Sequence, residues 1–168
     1  MKTFIEWIIK ETTAAKFNWY RKYPESWSAT FKIDDIDFRM DFYTDSDVAP
    51  SNNPNTWNVQ IQQVAGHRVI SPQKLDFLRL AQVFQTLDEA MIDFVQQHPK
   101  IEEFKIHPIT LSSHTARMDK LSKRGEPSEE NFDKNKFFAY QQLFQYSSLK
   151  QLGFDLKTEG EYIIIYKN

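Results

Sequence analysis

Three stretches near the middle of the chain alternate apolar and polar residues with almost no exceptions, and this limits the fold more than any other feature. Across residues 27–33, Trp27, Ala29, Phe31 and Ile33 alternate with Ser28, Thr30 and Lys32. Across 36–42, Ile36, Phe38, Met40 and Phe42 alternate with Asp37, Arg39 and Asp41. Across 57–62, Trp57, Val59 and Ile61 alternate with Asn58, Gln60 and Gln62. A period of two sends successive side chains to opposite faces of a strand, so each run predicts a strand with one apolar face. Three in succession predict an antiparallel meander packed on one face and wet or lightly covered on the other. Asp34-Asp35 suits the first hairpin turn, although no glycine supplies the positive φ usual there. The turn-forming stretch DSDVAPSNNPN precedes the third strand.

The flanking segments read as helices and further strands. Phe4, Ile5, Ile8 and Ile9 predict a first helix from residue 3 to about 16. The following KFNWYRKYPES mixes aromatic and basic residues, and Pro24 requires that helix to have ended. Ser71-Pro72 is a helix-start signal, with Ser71 as cap. From there Phe77, Leu80, Ala81, Phe84, Leu87, Met91 and Phe94 form a stripe that runs to His98-Pro99. IEEFKIHPI predicts a fourth strand, with Phe104 and Ile106 opposite Glu103 and Lys105. Residues 108–130 lose periodicity and predict a long, flexible, charged loop. A last helix is predicted over about 132–152, carrying Phe137, Tyr140, Leu143, Phe144 and Leu152, with Gly153 as its cap. Two strands around Glu159-Gly160 close the chain as a hairpin. A strand–helix–strand connection after a meander also predicts a parallel pair near the middle of the sheet.

Composition removes several function classes. The 168 residues hold 21 Lys plus Arg and 23 Asp plus Glu, so the whole chain has no excess of positive charge for a polyanion. With no cysteine there is no disulfide, thiolate nucleophile or Cys-ligated metal. Four glycines, at 66, 125, 153 and 160, are too scattered for a glycine-rich phosphate loop. The start MKTFIEWIIKETTAAK has an apolar run broken by Glu6, Lys10 and Glu11, which is neither a signal peptide nor a membrane span. The expectation is one α+β domain over residues 1–168, cytoplasmic and without a membrane role.

The order of elements, from the meander through helix, strand and helix to a final hairpin, resembles the core of the GNAT-type N-acetyltransferase fold over roughly residues 27–168. Ser147-Ser148-Leu149-Lys150-Gln151-Leu152-Gly153-Phe154 is similar to the end of that family's fourth helix, which closes on Leu-Gly-Phe. Residues 136–143, KFFAYQQL, resemble the R-x-x-x-Y-x-x-L run of divergent, phage-encoded GNAT-like proteins. The resemblance implies a mixed, mostly antiparallel sheet with helices packed on it. In the enzymes of this family an [RQ]-x-x-G-x-[GA] loop at the start of the third helix cradles the cofactor pyrophosphate on bare amides. The nearest match here, residues 63–68 (QVAGHR), puts Arg68 where the backbone must be open and lies ahead of the Ser71-Pro72 start. The family's general acid is a Tyr four residues before the Gly-Phe pair, a position held here by Leu149.

These departures set the functional expectation: a non-catalytic, phage-type interaction protein, virion-associated or acting on host takeover or defence, that binds a protein partner and uses no cofactor. The alternative is an acyl-CoA-dependent N-acyltransferase with a rebuilt cofactor site. Gly66, Arg68 and Ser71 would then be its cofactor candidates, and Tyr140 or Tyr146 its acid. Arg117, Lys120, Lys123 and Arg124 form a basic cluster, the candidate partner contact, which Glu126, Glu129, Glu130 and Asp133 balance. Nucleic-acid binding ranks behind a protein partner. It would draw on Phe17, Trp19, Tyr20 and Tyr23 interleaved with Arg21 and Lys22, residues whose simpler use is to cover a sheet edge.

Other motifs read more simply as structure. Glu103-x-Lys105 is half of a metal-dependent nuclease motif, but the preceding Asp88 and Asp93 fall on a helix, so an ordinary exposed strand face suffices. Asp35-Ile36-Asp37 and Asp45-Ser46-Asp47 resemble Mn²⁺-binding pairs and serve as well as turn formers. His107 and His114, with Glu102, lack a metal-ligand spacing. Ser112-Ser113-His114 lacks a nucleophile elbow.

Overall fold

The computed structural model describes residues 6–7, 10, 12–44, 55–66, 68–70, 75–107, 140–160 and 162–168. Its frame is a single sheet of eight strands: β1 (Phe17–Tyr23), β2 (Ser26–Ile33), β3 (Ile36–Tyr43), β4 (Thr56–Ala65), β5 (Arg68–Val69), β6 (Glu103–Ile106), β7 (Phe154–Glu159) and β8 (Tyr162–Lys167). The order across the sheet is β1-β2-β3-β4-β6-β8-β7, and β5 folds back onto β4. Every pairing is antiparallel except β4 with β6, the parallel pair that the strand–helix–strand pattern predicts.

The registers follow from the alternation. Trp27 lies opposite Phe42, Ala29 opposite Met40 and Phe31 opposite Phe38. Phe42 then faces Val59, and Met40 faces Ile61. A slip of one residue would turn this whole apolar set outward, so the hydrophobic pattern fixes the pairing. The β2–β3 hairpin turns at Asp34 with φ +53°, where an Asp takes the left-handed conformation in place of a glycine.

Helix α1 (Phe77–Gln97) lies on the apolar face. Its stripe of Leu80, Ala81, Phe84, Leu87, Met91 and Phe94 is buried as the spacing predicts. Phe94 is completely buried, and its ring meets those of Trp19, Trp27, Phe42, Trp57, His98 and Phe104. His98 caps the helix and stacks on Phe94 with ring centres 4.1 Å apart. The chain from 140 to 144 is helical, and a second short helix, α2 (Ser148–Gln151), leads to β7.

Five expectations need correction. Residues 17–23, expected to cover a sheet edge, are themselves the edge strand β1, since Phe17 and Trp19 carry the inward alternation and the segment pairs with β2. The first helix ends before Thr12, because residues 12–16 run without regular structure to join β1. Helix α1 starts at Phe77, where Asp76 and not Ser71 is the cap: the Asp76 side chain accepts the Arg79 amide at 2.8 Å. The last helix is interrupted at 145–147, since Ser147 turns outward from helical geometry to cap α2 through the Leu149 amide at 3.1 Å. That break buries Leu149 and leaves Leu152 exposed, against its predicted place in the core. Finally β5, unforeseen in the sequence, forms a tight return on β4.

Candidate functional site

Three chain segments meet beside the middle of α1 and leave a groove of about 330 Å³ between them. One wall is α1, with Gln85, Asp88, Glu89 and Ile92. The second is the stretch Thr12, Thr13 and Ala14 that leads into β1, and the third is Tyr146, Ser147 and Ser148 at the break before α2. A smaller recess adjoins it, lined by Phe84, Gln85, Asp88, Tyr140, Leu143 and Tyr146. Asp88, Gln85 and Tyr146 border both spaces.

Polar contacts hold the walls in place. Thr12 Oγ1 donates to Gln85 Oε1 at 3.0 Å, and Gln82 Nε2 donates to the Thr13 carbonyl at 3.2 Å. The Ala15 amide donates to Thr86 Oγ1 at 2.9 Å, and that hydroxyl donates in turn to the Gln82 carbonyl at 2.7 Å. Thr86 is completely buried, so its hydroxyl needs these partners. Tyr146 closes the rim by donating its hydroxyl to Glu6 Oε1 at 3.3 Å.

Asp88 is the chemical centre of the groove. Its carboxylate is partly exposed yet closely surrounded by protein. Tyr140 donates its hydroxyl to Asp88 Oδ1 at 3.2 Å, and the neighbouring Ser147 hydroxyl also favours the ionised carboxylate. Loss of solvation outweighs the influence of both hydroxyls, and with the nearby Glu89 charge it raises the Asp88 carboxyl to about 6. Burial is also the main reason that the Tyr140 phenol sits well above its ordinary range, with the Asp88 charge and hydrogen bond adding to it. The pair is therefore an acceptor that gains a proton just below neutrality and a phenol that keeps its own. Removal of the Tyr140 hydroxyl in Tyr140→Phe is expected to cost about 1–2 kcal/mol at pH 7, because a desolvated carboxylate loses a donor. Chemical denaturation measures the loss, and NMR titration of the Asp88 carboxyl carbon should show its pKa rise further.

The residues singled out in the sequence fall in three places. Tyr140 and Tyr146 come together on this groove. Tyr140 is wholly buried against Phe84 and Phe144, so its hydroxyl serves Asp88, whereas Tyr146 is half exposed at the rim. Gly66 and Arg68 lie elsewhere, in the return between β4 and β5, where Gly66 adopts φ +64° to make the turn. Ser71 and the basic cluster Arg117, Lys120, Lys123 and Arg124 lie outside the described residues, as do His114, Asp45-Ser46-Asp47 and Ser112-Ser113. Among the described residues no group of three or more His, Asp or Glu could hold a metal. Lys105 lies over the Tyr162 ring at 4.2 Å, and His107 bonds Asn58 Oδ1 through Nε2 at 2.9 Å.

Trp19 and Tyr23 separate by environment. Trp19 packs inside β1 and donates its indole N–H to Asp93 Oδ2 at 2.7 Å, which ties the edge strand to α1. Tyr20 and Tyr23 are the exposed aromatic residues of that strand.

The start of α1 has its own electrostatics. Arg79 lies between Asp34 of the β2–β3 hairpin and Asp76 of the cap, pairing with both through its guanidinium. The Asp76 carboxylate thus takes an amide of the first turn, and Asp34 and Asp35 add negative charge close by.

No protein-family model, no curated protein and no solved structure matches this chain. Among the described residues no helix is long and apolar enough to cross a membrane. The functional reading therefore rests on the site itself.

Proposed function

We propose that this chain is a GNAT-like binding protein that does not use acetyl-CoA and that engages a protein partner. The order of meander, α1, parallel strand, helical segment and terminal hairpin supports the resemblance. The reading is carried by the start of α1. In an acetyl-CoA enzyme of this fold that helix offers open amides to a pyrophosphate, and a helix N-terminus attracts anions through its dipole and unpaired N–H groups. Here the Asp76 carboxylate already occupies the Arg79 amide, and Arg79 is engaged by Asp34 and Asp76. A pyrophosphate entering there would meet three carboxylates, those of Asp34, Asp35 and Asp76.

Tyr140 supports the same reading from the other side. Its hydroxyl is committed to Asp88 inside the protein, so it is not placed to protonate a leaving thiolate. In this proposal the protein is a phage-type module of the virion or host cytoplasm, and Arg117, Lys120, Lys123 and Arg124 contribute to partner contact.

Thermal denaturation with and without acetyl-CoA tests the proposal. A ligand at about 100 times its dissociation constant adds roughly 2.7 kcal/mol to stability. The expected result is an unchanged melting temperature at millimolar acetyl-CoA. A clear upward shift, removed by Arg68→Glu, would instead support the acyltransferase alternative.

A further inference from the structure

We propose that the groove beside Asp88 is a binding site for a guanidinium group, such as that of an arginine side chain. Three observations meet there. The groove is a space of about 330 Å³ bounded by three separate segments, of which the Thr12–Ala14 stretch is tied to α1 by hydrogen bonds and Tyr146 is tied to Glu6. Its lining contains two carboxylates, Asp88 and Glu89, and a third from Glu6 reaches the rim at Tyr146. Among the described residues no lysine or arginine lines the groove, and Lys150, two residues after Ser148, directs its Nζ to Gln145 Oε1 at 2.7 Å.

Guanidinium fits this lining better than other cations. It is planar, presents five N–H donors in a fixed fork and accepts nothing. The wall offers mainly acceptors: the carboxylates of Asp88 and Glu89 and the hydroxyls of Thr12, Thr13 and Ser148. Asp88 accepts from Tyr140, and a carboxylate has about four lone-pair sites, so it retains acceptor capacity toward the groove. A guanidinium is also more weakly hydrated than an ammonium, so it enters a partly desolvated space at lower cost. The half-exposed Tyr146 ring supplies a flat face on which it can stack. The raised Asp88 carboxyl adds a consequence: a bound cation favours its ionised form, so binding should release a proton and strengthen as pH rises from 5 to 7.

The test is a titration of the full chain, followed by NMR and calorimetry, with three probes: agmatine, a capped Gly-Arg-Gly peptide and n-butylammonium. The expected result is saturable binding of at least one guanidinium probe, with shifts at Thr12–Ala14, Gln85–Glu89 and Tyr146–Ser148, and at least tenfold weaker binding of n-butylammonium. Asp88→Asn should weaken the guanidinium probe at least tenfold, and Tyr146→Ala by severalfold. Asp88→Asn removes a desolvated charge and should remain folded, which separates lost binding from lost structure. Binding of the peptide more tightly than agmatine assigns the site to arginine in a protein, and the reverse order assigns it to a free guanidine compound. The proposal is overturned if neither guanidinium probe binds at 10 mM, if butylammonium binds equally, or if Asp88→Asn binds as the natural chain does. The acetyl-CoA melting experiment reads a different part of the protein, so either proposal can fail alone.

Discussion

Phe94→Ala should lower the unfolding free energy by about 3–5 kcal/mol, the range for truncating a fully buried aromatic ring. Phe94 is 0% exposed, and it is the residue at which β1, β2, β3, β4, β6 and the end of α1 converge. Truncation would leave a void framed by Trp27, Trp57 and His98, three rigid rings that cannot collapse into it without leaving their rotamers. A typical domain has only about 5–15 kcal/mol of stability, so much of the total would be lost. Urea denaturation of Phe94→Ala beside Phe94→Leu measures it, with the leucine variant expected to retain more than half of the lost stability. A loss below about 1 kcal/mol would contradict the packing described for this end of the sheet.

The second large effect is a dependence of stability on pH that arises at Asp88. Its carboxyl is raised from 3.8 to about 6 in the folded chain, so the native state holds a proton that the unfolded state has already released. The sign follows. Below about pH 4 both states are protonated and the favourable contribution is complete; as pH rises through 6 it is lost. A shift of this size corresponds to about 3 kcal/mol, at 1.36 kcal/mol per unit. Asp88→Asn should therefore stabilise the protein by up to about 3 kcal/mol at pH 8 and have little effect at pH 4, since an amide keeps an acceptor for Tyr140 without the charge. Paired denaturation curves of the two proteins at pH 4, 6 and 8 measure this, and a stability difference that does not change with pH would contradict it.

The sheet was legible because its apolar residues obey a period of two and the registers follow from it. What the sequence concealed was concealed by local competition. In β1 the alternation of Phe17, Asn18 and Trp19 is followed by a register shift between Trp19 and Arg21, so the pattern breaks before it is long enough to read as a strand. At the start of α1, Ser71-Pro72 and Asp76 are rival caps, and the one with an arginine three residues on, able to pair with both cap and hairpin, is the one used. At the last helix, Ser147-Ser148 is a cap signal set inside an apparently continuous apolar pattern.

The groove was half legible. Tyr140 and Tyr146 are legible in the sequence as candidate acids on the final helix, but Asp88, the partner of Tyr140, reads there only as a possible nuclease carboxylate on a helix. The missed signal is its position. Asp88 follows Leu87 directly and lies four residues after Phe84, at the margin of a stripe that goes into the core. A carboxylate there must either reach water or find a donor, and Tyr140 supplies one from a segment more than 50 residues away in sequence. Spacing alone carries no record of that meeting.

The two proposals are tested together by a two-ligand map of backbone amide shifts, recorded first with acetyl-CoA and then with the capped Gly-Arg-Gly peptide. On this reading the amides of Asp76–Leu80 should stay unmoved by acetyl-CoA, and those of Thr12–Ala14, Gln85–Glu89 and Tyr146–Ser148 should move with the peptide. Saturable shifts at Asp76–Leu80 with acetyl-CoA, with the groove silent to the peptide, would contradict it.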